Sequence, residues 1–203
     1  MQDTGATAIH RLNTLAAQGR DRIEFHEGGV GIIVLLWGLA FFVIAPSLLM
    51  LTFSFKQTWG AACVGLAIGV GLILLGRMFR KRRATPFLSL SEAGLQYPDL
   101  TRPIPWTSVR GYRVDAGQLP GQNLIMFVDL YDGCEVPLKD PRLAGARHSV
   151  RRAWYNPNGH WIVFKTLGVR GMASARLIDL FATYLEAGHA RAQLAAVERQ
   201  GTA

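Results

Sequence analysis

The sequence contains few cysteines, and it lacks the spacings that usually mark a metal or catalytic site. Cys63 and Cys134 are the two cysteines, and they lie in no CxxC or Cys/His pattern, so neither a disulfide framework nor a zinc site is indicated. The five histidines form no HExxH or His-x-His pair. A phosphate-binding glycine loop and a Gly-x-Ser-x-Gly motif are also absent. The sequence therefore predicts no catalytic residue, no metal, no cofactor and no enzyme activity.

Charged residues are missing from two long stretches near the start of the chain. Residues 28–55 and 57–76 contain no Asp, Glu, Lys or Arg, and Lys56 alone separates them. Each stretch reaches the ~20 residues that a helix needs to cross a bilayer. We predict a transmembrane hairpin over residues 28–79. Because an ion or proton path would normally require ionisable groups inside the spans, a channel or pump is disfavoured.

The excess positive charge lies beside these stretches. The chain has a net charge of +8, and five basic residues follow the second stretch: Arg77, Arg80, Lys81, Arg82 and Arg83. Juxtamembrane basic residues bind anionic lipid headgroups, which accounts for this charge without nucleic-acid binding. Lys56 is the only cation between the spans, so the positive-inside rule places both chain termini in the cytoplasm.

Small residues recur every four positions in the second span, at Ala61, Gly65 and Gly69. On a helix they form a smooth stripe that allows another backbone to approach closely. Two interpretations remain open at this level. The stripe packs against the first span of the same hairpin, or it contacts a second copy or another membrane protein.

Residues 1–27 are predicted to be a cytoplasmic tail. Four apolar residues within residues 7–17 fall on one helical face, at positions 9, 12, 15 and 16. This pattern is typical of a short helix lying in the membrane interface, although a frayed tail fits it equally well.

Residues 84–200 are predicted to form an α+β domain. Short β-prone segments occupy residues 87–91, 95–97, 109–114, 123–131, 134–138 and 161–164. Asp132-Gly133 indicates a tight hairpin between two of them. From Ser174 the apolar period changes to that of an amphipathic helix, with Leu177, Phe181 and Tyr184 on one face. We expect Trp106 and Trp161 in the core.

Two segments carry a resemblance to a known family. Residues 88–95 read Leu-Ser-Leu-Ser-Glu-Ala-Gly-Leu, and residues 104–109 read Ile-Pro-Trp-Thr-Ser-Val. They resemble bacterial membrane-anchored pleckstrin-homology-like (PH-like) proteins, in which two transmembrane helices precede a PH-like domain. The resemblance implies an antiparallel sheet or partly open barrel closed by a C-terminal helix, at the bacterial inner membrane. The turn at residues 92–94 is acidic, which disfavours specific phosphoinositide binding.

A basic connection at residues 139–159 is the remaining candidate surface. Arg147, Arg151 and Arg152, with Trp154 close by, are candidates for contact with lipid headgroups or an acidic partner; a solvated loop is the alternative.

The preferred interpretation is a non-enzymatic, multi-pass inner-membrane protein that presents an interaction or assembly module in the cytoplasm. Its expected partners are the anionic bilayer and a protein, either a different one or a second copy, bound through the second span or the soluble domain. Two alternatives are an immunity protein against a membrane-attacking toxin and a lipid-modifying membrane enzyme.

Overall fold

The computed structural model describes residues 3–28, 30–53, 59–116, 124–145, 152–166 and 168–201. Two short 3-10 turns accompany the helices and strands, at Trp106–Ser108 and Pro141–Leu143. In chain order the elements are α1 (Asp3–Ala16), β1 (Ile23–Phe25), α2 (Val30–Phe53), α3 (Trp59–Ala84), β2 (Leu88–Ser91), β3 (Gly94–Gln96), β4 (Val109–Ala116), β5 (Leu124–Leu130), β6 (Ala153–Asn156), β7 (Trp161–Thr166) and α4 (Ser174–Gly201).

The chain forms two compact units, and the N-terminal residues belong to the α+β unit. One unit combines Met1–Glu27 with Pro86–Ala203, and the other is the helical hairpin Gly28–Thr85. The sequence predicted a separate tail at residues 1–27 and a domain beginning at residue 84, so the structure differs. The reason is that β1 pairs antiparallel with β2, with Phe25 opposite Leu88. The hairpin therefore interrupts one folded unit between two neighbouring strands.

Two antiparallel sheets build the α+β unit. Their strand orders are β1-β2-β3 and β4-β5-β7-β6. Along β5, side chains alternate between buried and half-buried, so Met126 and Val128 face the core. Helix α4 contributes Leu177, Phe181 and Tyr184 to the same core. The chain thus combines two long apolar helices with an α+β unit, as the sequence predicts.

Trp106 lies in the core, as expected, and joins β2 to α4. Its indole Nε1–H donates a hydrogen bond to the Ser91 carbonyl at 2.8 Å, and its ring meets the Phe181 ring edge-on at 5.5 Å between centroids. The expectation for Trp161 was wrong. Ile162 next to it is fully buried, and because strand side chains alternate between faces, Trp161 lies half-buried on the outer face of the sheet.

The predicted hairpin after β5 does not form. Asp132 and Gly133 do make a turn, but residues 134–137 are not a strand, and β7 is the strand that pairs with β5 beside β4. The 134–138 segment instead bonds to an earlier loop: the Thr101 N–H donates to the Pro137 carbonyl at 2.9 Å. Pro137 has no N–H for a ladder, which weakens a strand at this position. The edge strand β6 lies in the segment that the sequence treated as a connection.

Candidate membrane hairpin and interaction surfaces

Helices α2 and α3 are long and apolar enough to span a membrane. Their large apolar side chains point away from the rest of the hairpin: Phe41 is 69% exposed and Phe42 is 75% exposed. In the most apolar part of each helix only 17% of the residues are buried, which is unlike the core helix of a water-soluble protein. The hairpin therefore presents an apolar outer surface over most of its length.

A seven-residue repeat holds the two helices together. On α2 the buried residues are Ile33, Ala40 and Ser47, and on α3 they are Ala62, Gly69 and Gly76. A repeat of seven corresponds to 3.5 residues per turn, the period of left-handed coiled coils. The seam between the helices is thus built largely from small residues, as is common between membrane helices.

The glycine stripe predicted in the second span packs inside the hairpin. A Cβ at Gly65 would overlap the Ser47 side chain, and a Cβ at Gly69 would overlap Ile44. Ala61 is exposed, so it is not part of this seam, and Ala62 takes its place. The buried positions of α3 repeat every seven residues, or two turns of 3.5 residues, and not every four. Counting back from Gly69, the buried residue is therefore Ala62 and not Ala61. Gly65 and Gly69 thus pack against α2 within the hairpin, the first of the two interpretations.

We expect Gly69→Leu to push the helices apart while Gly71→Leu leaves them in place. A leucine at position 69 would collide with Ile44, whereas a Cβ at Gly71 meets nothing within 4 Å. The measurement is the distance between nitroxides at Cys63 and at an introduced Leu49→Cys, in a Cys134→Ser background. Gly69→Leu should increase the mean distance between the nitroxides by about 2 Å, the spread of usual helix separations. It should also broaden the distance distribution. Equal effects of both leucines would contradict the packing.

The predicted headgroup residues lie on the last turns of α3. Arg77, Arg80 and Lys81 are exposed, and Arg83 is half-buried. The side chain of Arg82 lies outside the described part of the structure. Three exposed cations thus stand at the end of the apolar hairpin, where headgroup contact requires them.

Of the three arginines predicted in the basic connection, Arg152 is the one that the structure describes. Arg147 and Arg151 lie outside the described residues. Arg152 Nη1 is 3.8 Å from Glu27 Oε2, and the two side chains are only 13% and 6% exposed. The predicted surface contact at Arg152 is therefore corrected: its guanidinium is held inside the unit, where it links the start of β6 to Glu27, two residues after β1. Sequence reasoning missed Glu27 because its partner is far away along the chain.

Trp154 lies on the outer face of the four-stranded sheet, opposite Val163 of β7. A second cluster on this face joins β4, β5 and β7. Arg113 donates two hydrogen bonds to the Asp129 carboxylate, at 3.1 and 2.8 Å. Its guanidinium also lies over Phe127 and Trp161, at 5.5 and 5.2 Å from the ring centroids.

The hydrogen bonds and the charge of Asp129 raise the pKa of Arg113. Arg113 therefore pairs with an acidic residue and two aromatic rings of its own sheet. We assign it a structural role on this face and not the role of a ligand-binding cation.

The N-terminal segment is fastened to α4. Arg191 Nη1 donates to the carbonyls of Ala16 and Gln18, at 2.9 and 3.0 Å, at the end of α1. The Tyr184 hydroxyl donates to the Asp21 carbonyl. Burial, assisted by the Asp21 carboxylate, raises the pKa of Tyr184, which keeps this donor protonated. The helix that the sequence assigned to the membrane interface or to a frayed tail thus packs on α4.

A groove of about 920 Å³ runs between α1 and α4. Its lining mixes apolar and polar residues, with Leu12, Leu15 and Ala190 beside Arg11, Glu186 and His189. The His189 Nε2 lies 3.1 Å from the Trp106 carbonyl and 3.0 Å from the Val109 carbonyl, so a proton on this nitrogen is shared between two acceptors. His189 therefore links α4 to β4, a structural role.

Comparisons with known proteins found no match: no family model, curated protein or solved structure matches the chain. Among the residues that the structure describes, no group of three or more His, Cys, Asp or Glu side chains is arranged to hold a metal ion. The features that bear on function are therefore the hairpin, its basic end and the way the chain connects it to the α+β unit.

Proposed function

We propose that the protein is a non-enzymatic, multi-pass protein of the bacterial inner membrane, which presents a PH-like interaction module in the cytoplasm. The observation that carries this proposal is the insertion of an apolar two-helix hairpin between β1 and β2 of one folded unit. A hairpin connected in this way anchors the unit through two chain segments that leave it side by side.

The connection also supports the proposed topology. Met1–Glu27 and Pro86–Ala203 belong to the same compact unit, so both chain termini lie on the same side of a membrane that the hairpin crosses. Arg20 and Arg22 precede the first span, and the basic end of α3 follows the second, whereas Lys56 is the only basic residue between them. The positive-inside rule then places the α+β unit in the cytoplasm.

The fold supports a PH-like module. Two antiparallel sheets are followed by one long helix, α4, whose Leu177 and Phe181 fill the core between them. The two segments that resemble the family have structural roles here. Residues 88–95 form β2, a turn and most of β3, and Trp106 of the second segment is the core tryptophan that bonds to Ser91.

A protein partner, either another protein or a second copy, is proposed to bind the α+β unit. Packing of the glycine stripe inside the hairpin argues against the second span as the contact. We propose the groove between α1 and α4 as the surface for this role. Two exposed apolar side chains stand on the groove-forming helices, Ile9 on α1 at 45% exposed and Val197 on α4 at 48%.

Reporter fusions test the topology. Alkaline phosphatase, which is active only outside the cytoplasm, should be inactive when fused before Met1 or after Ala203, and active when inserted next to Lys56. A cytoplasm-active reporter at the same three positions should give the reverse pattern. Phosphatase activity at Ala203 would refute the cytoplasmic location, and different results at the two termini would refute the hairpin.

A further inference from the structure

A short turn of the α+β unit pairs with the residues that precede the hairpin in the sequence. Val169 and Met172 bridge each other across Arg170 and Gly171, and Val169 also bridges to Glu27. The Arg170 N–H donates to the His26 carbonyl at 2.8 Å. The turn thus pairs with the last residues of the chain before the apolar run begins.

The structure holds this turn firmly. Val169 is only 8% exposed and belongs to the core, and the buried Thr166 hydroxyl donates to the Gly168 carbonyl at 2.7 Å. Gly171 has a φ of +77°, a conformation that glycine adopts without strain. Arg170 is exposed at the tip of the turn, so its backbone is fixed while its side chain reaches outward.

Chain length alone limits how far Arg170 can lie from the membrane. Two residues lie between Glu27 and Val30, where α2 begins, so the three Cα–Cα steps from Glu27 to Val30 span at most about 11 Å. The headgroup layer on each side of a bilayer is roughly 5–7 Å thick. An extended arginine side chain at a turn bonded to His26 is therefore within reach of headgroup phosphates when the turn faces the bilayer.

The charges around the turn do not oppose the approach of an anionic lipid headgroup. Two acidic residues lie in the adjoining segment. Glu27 is paired with Arg152, and Glu24 is paired with Arg22 at 2.9 Å. Their charges are offset locally. Among the described residues, no acidic side chain forms an ion pair with Arg170.

We propose that the turn at residues 169–172 is a lipid-contacting element of the α+β unit, in which Arg170 binds the phosphate of an anionic headgroup. This inference rests on the proposed membrane anchoring. Contact between the turn and the headgroups would attach the α+β unit to the membrane at a third place, besides the two spans. It would thereby restrain rotation of the unit about its two connections.

Photo-crosslinking tests the proposal with the full chain reconstituted in vesicles. The vesicles contain phosphatidylcholine with or without phosphatidylglycerol, and the probe is a phosphatidylglycerol with a photoreactive headgroup. We expect crosslinks on residues 168–172, about fivefold weaker in Arg170→Gln, as for the loss of one basic residue at an anionic surface. Arg170→Lys should retain most of the yield, and added salt should lower it by screening.

Arg110→Gln is the matched control. Arg110 is an exposed arginine near the opposite end of the same sheet, about 20 Å away along the strands from the level of Thr166. Its loss should leave the crosslinks on residues 168–172 unchanged. Equal yields for wild type and Arg170→Gln, or no crosslink on the turn, would overturn the inference.

A second probe separates this inference from the proposed function. A lipid with a photoreactive group at the end of its acyl chain should label α2 and α3. Labelled helices with an unlabelled turn would refute only the role of Arg170. Unlabelled helices would refute the membrane anchoring itself.

Discussion

Phe181→Ala should destabilise the α+β unit by about 3–5 kcal/mol, the cost of removing a large side chain from a core. Phe181 is a fully buried residue of α4. Its ring lies 5.5 Å from that of Trp106 and 5.2 Å from that of Tyr112, both edge-on. No neighbouring segment can easily collapse into the space, because rings of different elements line it. Chemical unfolding of the detergent-solubilised chain, followed by near-UV circular dichroism, measures the loss.

Val197→Ala on the same helix is the control for Phe181→Ala. Val197 is 48% exposed, so its truncation should change the free energy of unfolding by at most about 0.5 kcal/mol. A similar loss for both variants would show that α4 is not anchored to the sheets through Phe181.

Gly94→Ala should cost about 2–6 kcal/mol, through backbone strain and a steric collision together. Gly94 begins β3 with a φ of +143°, which side-chain-bearing residues rarely adopt. A Cβ there would also overlap the carbonyl of Ile104, whose oxygen accepts the Leu95 N–H at 3.0 Å. Relief of the collision would break this link between β3 and the segment that leads to Trp106. The loss is measured by the same unfolding experiment.

Gly133→Ala isolates the collision from the strain. Gly133 also has a positive φ, of +82°, but a Cβ there meets nothing within 4 Å. Its substitution should cost only about 1–2 kcal/mol, from the backbone conformation alone. If Gly94→Ala were no more harmful than Gly133→Ala, the close approach of Ile104 would be refuted.

Features with a local signal could be predicted from the sequence. The two uncharged stretches predicted α2 and α3, and the β-prone residues 123–131 predicted β5, observed at Leu124–Leu130. The period change at Ser174 predicted the first residue of α4. In each case the signal lies within one element, since burial of one face imposes a period on the residues of that element alone.

Features that depend on distant pairing could not be predicted. Nothing within residues 23–25 shows that they complete a sheet with β2, because the hairpin separates the two strands. The Arg152–Glu27 contact joins residues that lie far apart in the sequence, on either side of the hairpin, so the basic run around Arg152 was interpreted as a surface. The seam of the hairpin was displaced by one position, from Ala61 to Ala62, because the four-residue spacing of the glycines matched only part of a seven-residue repeat.

The insertion of the hairpin between β1 and β2 also dictates an order of events during synthesis. Phe25 leaves the ribosome before both spans, and its partner Leu88 follows them. At about 5–20 residues per second, translation separates the two strands by roughly 3–12 seconds. The three-stranded sheet thus cannot close until both helices have been made. In the proposed topology, β1 therefore remains without its partner strand while the two spans are synthesised, and closure of this sheet is a late step.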